Sequence, residues 1–578
     1  MAYTIIAARL PLGDVPVCGV TVEPYIQLRR LDTNQTAQVE ELPEESSEGD
    51  AGSSRYVLRS LWSRSVVQGR AQAYCSIHPE REAGLQCTLC LRAKHAIPTH
   101  KSYHCSVKCF TQHWRVHKEM HERAEAQGYI PSVEDSNGFR GSTYSNGGET
   151  WLEVGRSRCY TPSSDDVGLI LKYEVAVVDT YTGRAEYAKT GGITTARVRP
   201  APNPPTRRMV NIDLPDAKDS AGRFSVLSYN VLADLYANAE MYDHCPSWAL
   251  AWSYRKQNLL RELLSYKADI LCLQEVQSDH YQDFLAPELQ RAGYTPIYKK
   301  KTTELFTKNA YAIDGCATFF RRDKFSLVKK YEVEFNKAAL SLSESLQVNN
   351  KKKAALGRLL KDNVALIAVL EAIQPPEPGA NARQLICVAN THIHANPELS
   401  DVKLWQVHTL LKGLEKIAAS ADIPMLVAGD FNSTPGSAAH QLLVNQYVDG
   451  SHPDLENDPL SINKPATKLT HQLCLASAYG AYGDAADNGP EVARQKGRVD
   501  HDFFEPKFSN VGRDFKGTLD YILYTTDTLV PVGLLELPDD ADLEEHAPGG
   551  RLPCANFSSD HIALMAEFQY RRHPQGGH

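Results

Sequence analysis

Short apolar runs alternate with amphipathic segments from residue 223 to residue 571, and this alternation predicts an α/β domain. The strand candidates are FSVLSYNVLA, ADILCLQEV, GCATFFRR, QLICVANTHIH, PMLVAGDF, TLDYILYT and HIALMAEFQY. The helix candidates are SYRKQNLLRELLSYK, YQDFLAPELQRA and SDVKLWQVHTLLKGLEKIAAS. In the last of these, Leu404, Val407, Leu411 and Leu414 recur on one face, which we expect to pack on the core.

A linker precedes this pattern, and two stretches interrupt it. Residues 198–222, which open with VRPAPNPPT, are expected to form a stiff Pro-rich linker. Residues 336–363 and 374–383 are expected to be surface excursions. The lysines at 351–353 fit either a solvated loop or a contact with RNA.

The first part of the chain has the period-two alternation of strands. Residues 1–73 and 150–197 predict two halves of one β-sandwich, which resembles an immunoglobulin-like domain. Its core would contain Trp62, Leu169, Leu171 and Val175. The acidic segment VEELPEESSEGDAGSS is expected to be a disordered loop.

The insertion between the halves, residues 74–125, contains five of the chain's 13 cysteines. Its cysteines and histidines form four pairs: Cys75 with His78, Cys87 with Cys90, Cys105 with Cys109, and His117 with His121. Eight ligands are enough for two tetrahedral zinc ions, whose binding would supply the folding energy of so small a module. The alternative is redox or incidental cysteines beside surface histidines.

The run CSVKC with Trp114, His117, Lys118 and His121 resembles a MYND zinc finger. This resemblance implies interleaved sites, with Cys75, His78, Cys105 and Cys109 on one zinc and Cys87, Cys90, His117 and His121 on the other. His78 and His121 stand where the family mostly has cysteine. The possible substitute ligands are His95, His100, His104 and His113. The resemblance also implies that the module binds a peptide of a protein partner.

Polar groups of one chemical kind follow the predicted strands of the large domain. They are Asn230, Glu275, His392, Asp430, Asn432, Asp520, Asp560 and His561. Each alone fits a turn, a cap or a satisfied core group, but an unpaired acid at a buried strand end is costly. The whole set therefore indicates a site.

Phosphodiester hydrolysis needs groups of these kinds. Carboxylate and amide oxygens suit Mg²⁺, one ion or two, and the candidate ligands are Glu275, Asn230 and Asp560. His561 is the candidate base. Asp430 and Asn432 would orient the nucleophile and the phosphate, and His392 would donate to a phosphate oxygen.

The stretch IPMLVAGDFNSTP, residues 423–435, predicts a buried strand that ends at Gly429. Thr434 and Pro435 are expected to be the cap and first position of a helix. Taken alone, GDFN also fits an ordinary turn.

The segments SYNVLA, LQEV, THIH, GDFNSTP, LDYI and SDH, in this order, resemble the endonuclease/exonuclease/phosphatase superfamily. The resemblance implies a four-layer αββα sandwich with the site in a cleft between the sheets. It further implies that Glu275 is the principal Mg²⁺ ligand, that Asp520 orients His561 and that Asp430 positions or activates the attacking water.

Within the superfamily, SYNVLAD, THIHANPELSDVKLWQ and FKGTLDYI are similar to the carbon catabolite repressor type deadenylases, in the plant and algal form that has a β-domain with a MYND finger. This implies a 3′–5′ exoribonuclease that shortens mRNA poly(A) tails and releases 5′-AMP within a deadenylation complex. Pro397 and Phe515, with His392 and Asn432, would contact adenine bases, although Phe515 also fits core packing. The alternatives are a nocturnin-like enzyme, a 2′,5′-phosphodiesterase, or a catalytically silent scaffold, which the complete residue set disfavours.

Composition and charge limit the number of domains and the class of protein. At 578 residues the chain is too long for one core, and 42% hydrophobic with 23% charged residues is typical of globular domains. A net charge of -8 and a pI of 6.2 exclude a globally basic nucleic-acid coat but not a local basic cleft. We expect no secretory signal and no membrane span, and the scattered single cysteines predict a cytosolic or nuclear protein. The finger is the expected docking site for another deadenylase or a scaffold subunit.

Overall fold

The computed structural model describes residues 3–571, except for residues 11–14, 38–41, 46–53, 67–72, 79–80, 88–89, 91–101, 127–142, 147–148, 188–191, 203, 205, 213–221, 308–309, 345–349, 374–383, 420–422 and 486–488. Most of the predicted acidic loop, His95, His100, the excursion at 374–383 and the side chains of lysines 351–353 lie outside the described residues. The chain forms two compact units, the N-terminal unit Met1–Pro204 and the C-terminal unit Pro205–His578.

The described part of the N-terminal unit contains two larger antiparallel sheets and a short antiparallel pair, Leu85–Gln86 with Tyr103–His104. Its strands are β1 Tyr3–Arg9, β2 Tyr25–Arg30, β3 Thr36–Ala37, β4 Tyr56–Val66, β5 Leu85–Gln86, β6 Tyr103–His104, β7 Thr143–Asn146, β8 Glu149–Gly155, β9 Ile170–Asp179, β10 Ala185–Tyr187 and β11 Ile193–Arg197. One sheet has the order β1-β2-β3, and the other has the order β10-β9-β4-β8-β7, with β11 also paired to β9. Strand β4 pairs with both β8 and β9, so strands on either side of the insertion share one sheet.

The two sheets enclose one apolar core. Trp62, Leu171 and Val175 lie in it with Ile5 and Leu28, whereas Leu169 is half-buried and outside it. The inclusion of Leu169 was therefore wrong, because the residue precedes β9 and is not held by its pleat. The relation to immunoglobulin-like domains stays a prediction.

The C-terminal unit contains a seven-stranded and a six-stranded sheet, with two separate hairpins. Its strands are β12 Met209–Asn211, β13 Arg223–Asn230, β14 Ile270–Gln277, β15 Tyr294–Lys300, β16 Leu305–Thr307, β17 Ala310–Ala312, β18 Asp314–Arg321, β19 Phe325–Glu334, β20 Val364–Ala372, β21 Leu385–His392, β22 Met425–Asp430, β23 Leu475–Ser477, β24 Asn510–Val511, β25 Lys516–Gly517, β26 Asp520–Thr525, β27 Leu529–Leu535 and β28 Leu564–Tyr570. The sheet orders are β12-β27-β28-β13-β14-β18-β15 and β19-β20-β21-β22-β26-β23.

In the C-terminal unit, helices cover the outer faces of the seven-stranded and six-stranded sheets. The α-helices are Val107–Ala126 in the N-terminal unit, and Ser247–Leu250, Trp252–Tyr266, Ser278–His280, Ala286–Arg291, Phe335–Glu344, Asn350–Leu359, Ser400–Ala418, Ala438–Asn445, Pro453–Glu456, Ala481–Asp484, Pro490–Lys496 and Asp540–His546 in the C-terminal unit. A π-helix, Tyr281–Leu285, lies between two of them. No helix in the described part of the chain is both long and apolar enough to cross a membrane.

Strand periodicity explains the layers. In β13, Val226 faces the core between the sheets while Leu227 faces the helix Trp252–Tyr266. In β22, Leu426 faces the same inner core while Val427 faces the helix Ser400–Ala418. Strands with both faces buried are apolar throughout, which explains the continuous runs in the sequence. The predicted α/β sandwich is confirmed, with layers in the order helix, sheet, sheet, helix.

Three expectations differ from the structure. Strand β12 lies inside the predicted linker and pairs with β27, because Val210 and Ile212 are apolar and buried. Residues 336–363 are mainly the two helices Phe335–Glu344 and Asn350–Leu359 rather than an excursion, since Ala339 and Leu359 pack into the core. The helix after GDFN begins at Ala438 instead of Pro435, because the Ser437 side chain accepts the His440 amide as its cap.

Candidate active site

The predicted polar residues meet at one end of the two sheets. Strands β13 and β14 are parallel, as are β21 and β22, so their carboxyl ends lie together. Asp430 lies between His392 and Asp520 in the register of the second sheet. A cleft of about 670 Å³ opens there, lined by both sheets.

Gly429 allows β22 to approach β21 closely. Its φ is +150°, and a Cβ at this position would lie 2.0 Å from the Thr391 carbonyl oxygen. Only glycine fits this backbone, so the residue before Asp430 is required for the spacing of Asp430 and His392.

Glu275 occupies a β-bulge of β14. Its φ is +55°, and the pairing with β18 shifts between Leu273 and Val276. A bulge redirects a side chain out of the sheet pattern, and here the carboxylate enters the cleft. Glu275 accepts hydrogen bonds from Asn230 Nδ2 at 3.1 Å and from the Ala233 amide at 2.9 Å. Burial, with the carboxylates of Asp314 and Asp560, raises the pKa of Glu275.

Asp430 is the central acceptor of the site. One carboxylate oxygen accepts the Asn432 amide at 2.9 Å, and the other accepts Asn230 Nδ2 at 3.0 Å. His392 Nε2 and His561 Nε2 lie 3.6 and 3.7 Å from that second oxygen. Burial and the nearby Asp520 carboxylate raise the pKa of Asp430 to about 7.

Asp520 orients His561 from behind. Its carboxylate lies 2.7 Å from His561 Nδ1 and accepts the Ser509 hydroxyl at 2.6 Å. Burial alone would lower the pKa of His561, but the carboxylates of Asp520 and Asp430 outweigh it and hold that pKa well above its usual range. Burial, with Lys301 and His561, holds the pKa of His392 well below its usual range. Their surroundings therefore shift the pKa values of the two imidazoles in opposite directions.

The predicted base-contacting residues line the same cleft. Pro397 and Phe515 lie on its wall, and Phe515 is 40% exposed, which excludes core packing for its ring. Asn432 has a φ of +47° and donates its side-chain amide to the Ile393 carbonyl. Asn230 and Asp520 stand behind the wall, and the other predicted nuclease-site residues face the cleft.

The donor set fits a divalent cation. Burial raises the pKa of Glu275, and the carboxylates of Asp314 and Asp560 raise it further, which shows that negative charge gathers here. Asn230 Nδ2 donates to Glu275, and Asn230 Oδ1 accepts the Leu232 amide. A cation held by these oxygens would offset the repulsion between the carboxylates, and oxygen ligands of this kind suit Mg²⁺.

The cysteine and histidine pairs of the insertion form two clusters. Cys75, His78, Cys105 and Cys109 place their ligand atoms within 4.8 Å of one another, and so do Cys87, Cys90, His117 and His121. This is the interleaved arrangement that the sequence predicts. Burial and neighbouring Cys87 raise the pKa of Cys90 to about 12, so a bound cation would be needed to hold its thiolate at neutral pH.

The two remaining substitute ligands stand beside these clusters. His104 Nδ1 lies 3.9 Å from Cys109 Sγ, and His113 Nδ1 lies 3.0 Å from the Cys109 carbonyl oxygen. Neither belongs to a four-residue cluster of the described chain.

The model of the endonuclease/exonuclease/phosphatase family matches residues 227–561, more than half of the chain and all of the cleft-forming sequence from Asn230 to His561. The chain belongs to this family.

Similar proteins indicate which branch of the family this chain resembles. The chain is 47% identical to carbon catabolite repressor protein 4 homolog 2 of Arabidopsis thaliana, over 98% of both chains, which confirms the resemblance to that type. It is 35% identical to the CCR4-Not complex 3′-5′-exoribonuclease subunit Ccr4 of Mycosarcoma maydis, over 65% of this chain and 56% of that protein. Among solved structures, ANGEL2, a 2′,3′-cyclic phosphatase, is 28% identical with a TM-score of 0.48, over 64% of this chain and 99% of that one.

The cleft of this family member also contains groups that sequence reasoning missed. Lys301 Nζ lies 2.8 Å from Asp314, and both side chains are buried. Tyr242 donates its hydroxyl to Asp560 at 2.8 Å. Lys403 reaches the Asn432 carbonyl from the helix Ser400–Ala418. Tyr242 and Lys301 lie in none of the quoted segments, and Lys403 lies in THIHANPELSDVKLWQ without having been singled out. For Lys301 the available signal was a run of three lysines at 299–301, which resembles a solvated surface.

Proposed function

We propose that this protein is a Mg²⁺-dependent 3′–5′ exoribonuclease that shortens mRNA poly(A) tails and releases 5′-AMP, as the catalytic subunit of a deadenylase complex. The observation that carries the proposal is the convergence of Glu275, Asp430 and His561 in one cleft, in a chain 47% identical along its length to a carbon catabolite repressor protein 4 homolog. The 3′-5′-exoribonuclease named among its relatives gives the direction of attack.

The residues divide the chemistry among them. Glu275, Asn230 and Asp560 would hold Mg²⁺, which supplies charge neutralisation at the phosphate and the leaving oxygen. Tyr242 fixes the Asp560 carboxylate through its hydroxyl. Neutral His392 donates a hydrogen bond to a phosphate oxygen, and Asn432 helps to place the phosphate.

Asp430 and His561 are the two candidate proton acceptors, and Asp430 Oδ2 lies 3.7 Å from His561 Nε2. With its pKa raised to about 7, the Asp430 carboxylate can take a proton from the attacking water. The Asp520 and Asp430 carboxylates raise the pKa of His561, and in its charged form this imidazole can stabilise the negative charge that develops at the phosphate. The role of His561 as the base stays a prediction, supported by the Asp520 carboxylate 2.7 Å from its Nδ1.

The bases would bind between Phe515 and Pro397. An exposed aromatic ring stacks on any base and contributes about 1–3 kcal/mol per base. A flat ring and a proline lining the cleft suit a purine; the preference for adenine rests on the similarity of THIHANPELSDVKLWQ and FKGTLDYI to the deadenylases.

A labelled-RNA assay tests the proposal. The full chain with Mg²⁺ is expected to convert a 5′-labelled RNA with an A-tail into a ladder that stops near the tail boundary. Glu275→Gln and Asp430→Asn should each slow the reaction at least 100-fold. The matched control is Asp323→Asn, because Asp323 is a 58% exposed acid beyond the opposite end of β18. Equal degradation of a mixed-sequence RNA would refute the base preference, and near-normal rates of the two variants would refute the site.

For the insertion, we propose a MYND-like finger that holds two structural zinc ions and binds a protein partner, either another deadenylase or a scaffold subunit. The two four-residue clusters support it. Metal analysis of the full chain should give two zinc per chain and one in Cys90→Ser; fewer than two in the unaltered protein would refute the eight-ligand scheme. A cytosolic or nuclear location is part of the proposal, and imaging of the tagged protein tests it.

A further inference from the structure

A short aromatic hairpin, β16 with β17, follows the cleft residue Lys301 in the chain. Strands β16 and β17 pair only with each other among the described strands, and Phe306 lies opposite Tyr311 across the pair. Phe306 is 64% exposed and Tyr311 is 73% exposed. Their ring centroids are 5.1 Å apart at an interplanar angle of 61°, so the edge of one ring meets the face of the other. This arrangement leaves a ring face open to a ligand.

The hairpin grows out of the catalytic end of the first sheet. The hairpin connects β15 to β18, and Lys300 of β15 lies opposite Gly315 of β18. On the other side of β18, Gln277 of β14 lies opposite Asp314. The base of the hairpin is the Lys301–Asp314 pair, whose lysine lines the cleft. Phe306 follows Lys301 by five residues, so the rings lie within about 17 Å of it along the chain.

The lysines at the base of the hairpin are paired with acids. Lys299 lies 3.0 and 2.6 Å from Glu332 and Glu334, Lys300 lies 3.9 Å from Glu304, and Lys301 lies 2.8 Å from Asp314. The feature that points to a ligand is therefore the pair of exposed rings, because aromatic side chains on which bases stack are typical of single-stranded nucleic-acid grooves. An isolated hairpin of two strands is marginally stable. Because both rings are exposed, they bury little apolar surface and do little to stabilise the hairpin.

We propose that Phe306 and Tyr311 form a stacking platform for the single-stranded RNA that leaves the cleft on the 5′ side of the scissile nucleotide. This inference rests on the proposed exoribonuclease function. The platform would hold the tail during successive cleavages and would set the dependence of KM on tail length. It takes no part in the chemical step.

The test compares two tail lengths on the full chain with Mg²⁺. For A20, Phe306→Ala/Tyr311→Ala should raise KM about 5- to 100-fold with kcat unchanged, a range that corresponds to about 1–3 kcal/mol per stacked base. For A3, which occupies only the cleft, KM should stay within about twofold. The variant Phe306→Tyr/Tyr311→Phe keeps both rings and should behave as the unaltered enzyme. Tyr447→Ala is the matched control, because Tyr447 is 56% exposed and does not line the cleft.

The outcomes separate the two proposals. An equal effect on A3 and A20, or no effect on either, would overturn the platform. Unchanged A20 kinetics together with loss of binding to a purified complex subunit would make the hairpin a protein contact and would also overturn it. If the unaltered protein degrades no RNA, the proposed function fails, and anisotropy of labelled A20 with the same variants still decides whether the rings bind RNA.

Discussion

Replacing Lys301 by methionine should destabilise the C-terminal unit strongly. Methionine keeps the apolar stem but removes the charge that pairs with Asp314 at 2.8 Å, where the side chains are 8% and 3% exposed. The Asp314 carboxylate would then stay buried with the Tyr236 hydroxyl, 3.1 Å away, as its hydrogen-bond donor. Removing one partner of a buried pair costs about 3–5 kcal/mol, because the remaining charge has lost its compensation. We expect a loss of this size in the free energy of unfolding.

The double variant Lys301→Met/Asp314→Asn separates the charge effect from packing. It contains no uncompensated charge, and the asparagine oxygen can still accept the Tyr236 hydroxyl, so most of the lost stability should return. Lys300→Met is the matched control, because Lys300 is 56% exposed and 3.9 Å from Glu304, a type of pair that contributes about 0–1 kcal/mol.

Urea unfolding of the full chain, read by hydrogen exchange in peptides from β15 and β18, measures this unit separately. If the double variant is no more stable than Lys301→Met, the pair does not act through buried charge and the reasoning is refuted. The double variant should also degrade poly(A) at least 10-fold more slowly, because the positive charge beside Glu275 and His392 is gone.

Three further changes test other parts of the chain. Gly429→Ala should push β22 away from β21 and reduce poly(A) degradation at least 100-fold. The control Gly413→Ala, in a helix with free space around it, should leave activity unchanged and raise the melting temperature slightly. Equal activity of the two variants would contradict the requirement for glycine at 429. Ser509→Ala removes the acceptor of the Leu519 and Asp520 amides and should cost about 2–4 kcal/mol in urea unfolding, a value that a loss below 1 kcal/mol would exclude. Trp62→Ala should cost about 3–5 kcal/mol in the N-terminal unit, seen by hydrogen exchange of β4 and β9, while the rate of poly(A) degradation stays within twofold.

The sequence predicted the parts of the fold that follow from periodicity. The seven strand candidates of the large domain all form strands, and Leu404, Val407, Leu411 and Leu414 are all buried. Other strands were missed, among them β15, β19, β20 and β27. For β20 the reason is that an apolar run such as VALIAVLEA cannot be distinguished from a buried helix by its pattern.

The site was predictable where a polar residue ends a buried strand and unpredictable where the pairing is long-range. Glu275 and Asp430 can be recognised in the sequence because each is an acid that follows an apolar run. Lys301 does not, since its burial depends on Asp314, which lies beyond the hairpin. The raised pKa of His561 depends on carboxylates 41 and 131 positions away in sequence, and no local spacing indicates such a contact.

The position of β28 makes the order of synthesis important. This strand, Leu564–Tyr570, lies inside the first sheet between β27 and β13, and His561 precedes it directly. In a ribosome-bound chain that stops before residue 561, the edge of β13 that pairs with β28 stays exposed, and the cleft lacks the imidazole of His561. Exposed strand edges of this kind are prone to aggregation. Nascent or truncated chains should therefore be inactive and dependent on chaperones, so that RNA degradation begins only after the last strand has entered the sheet.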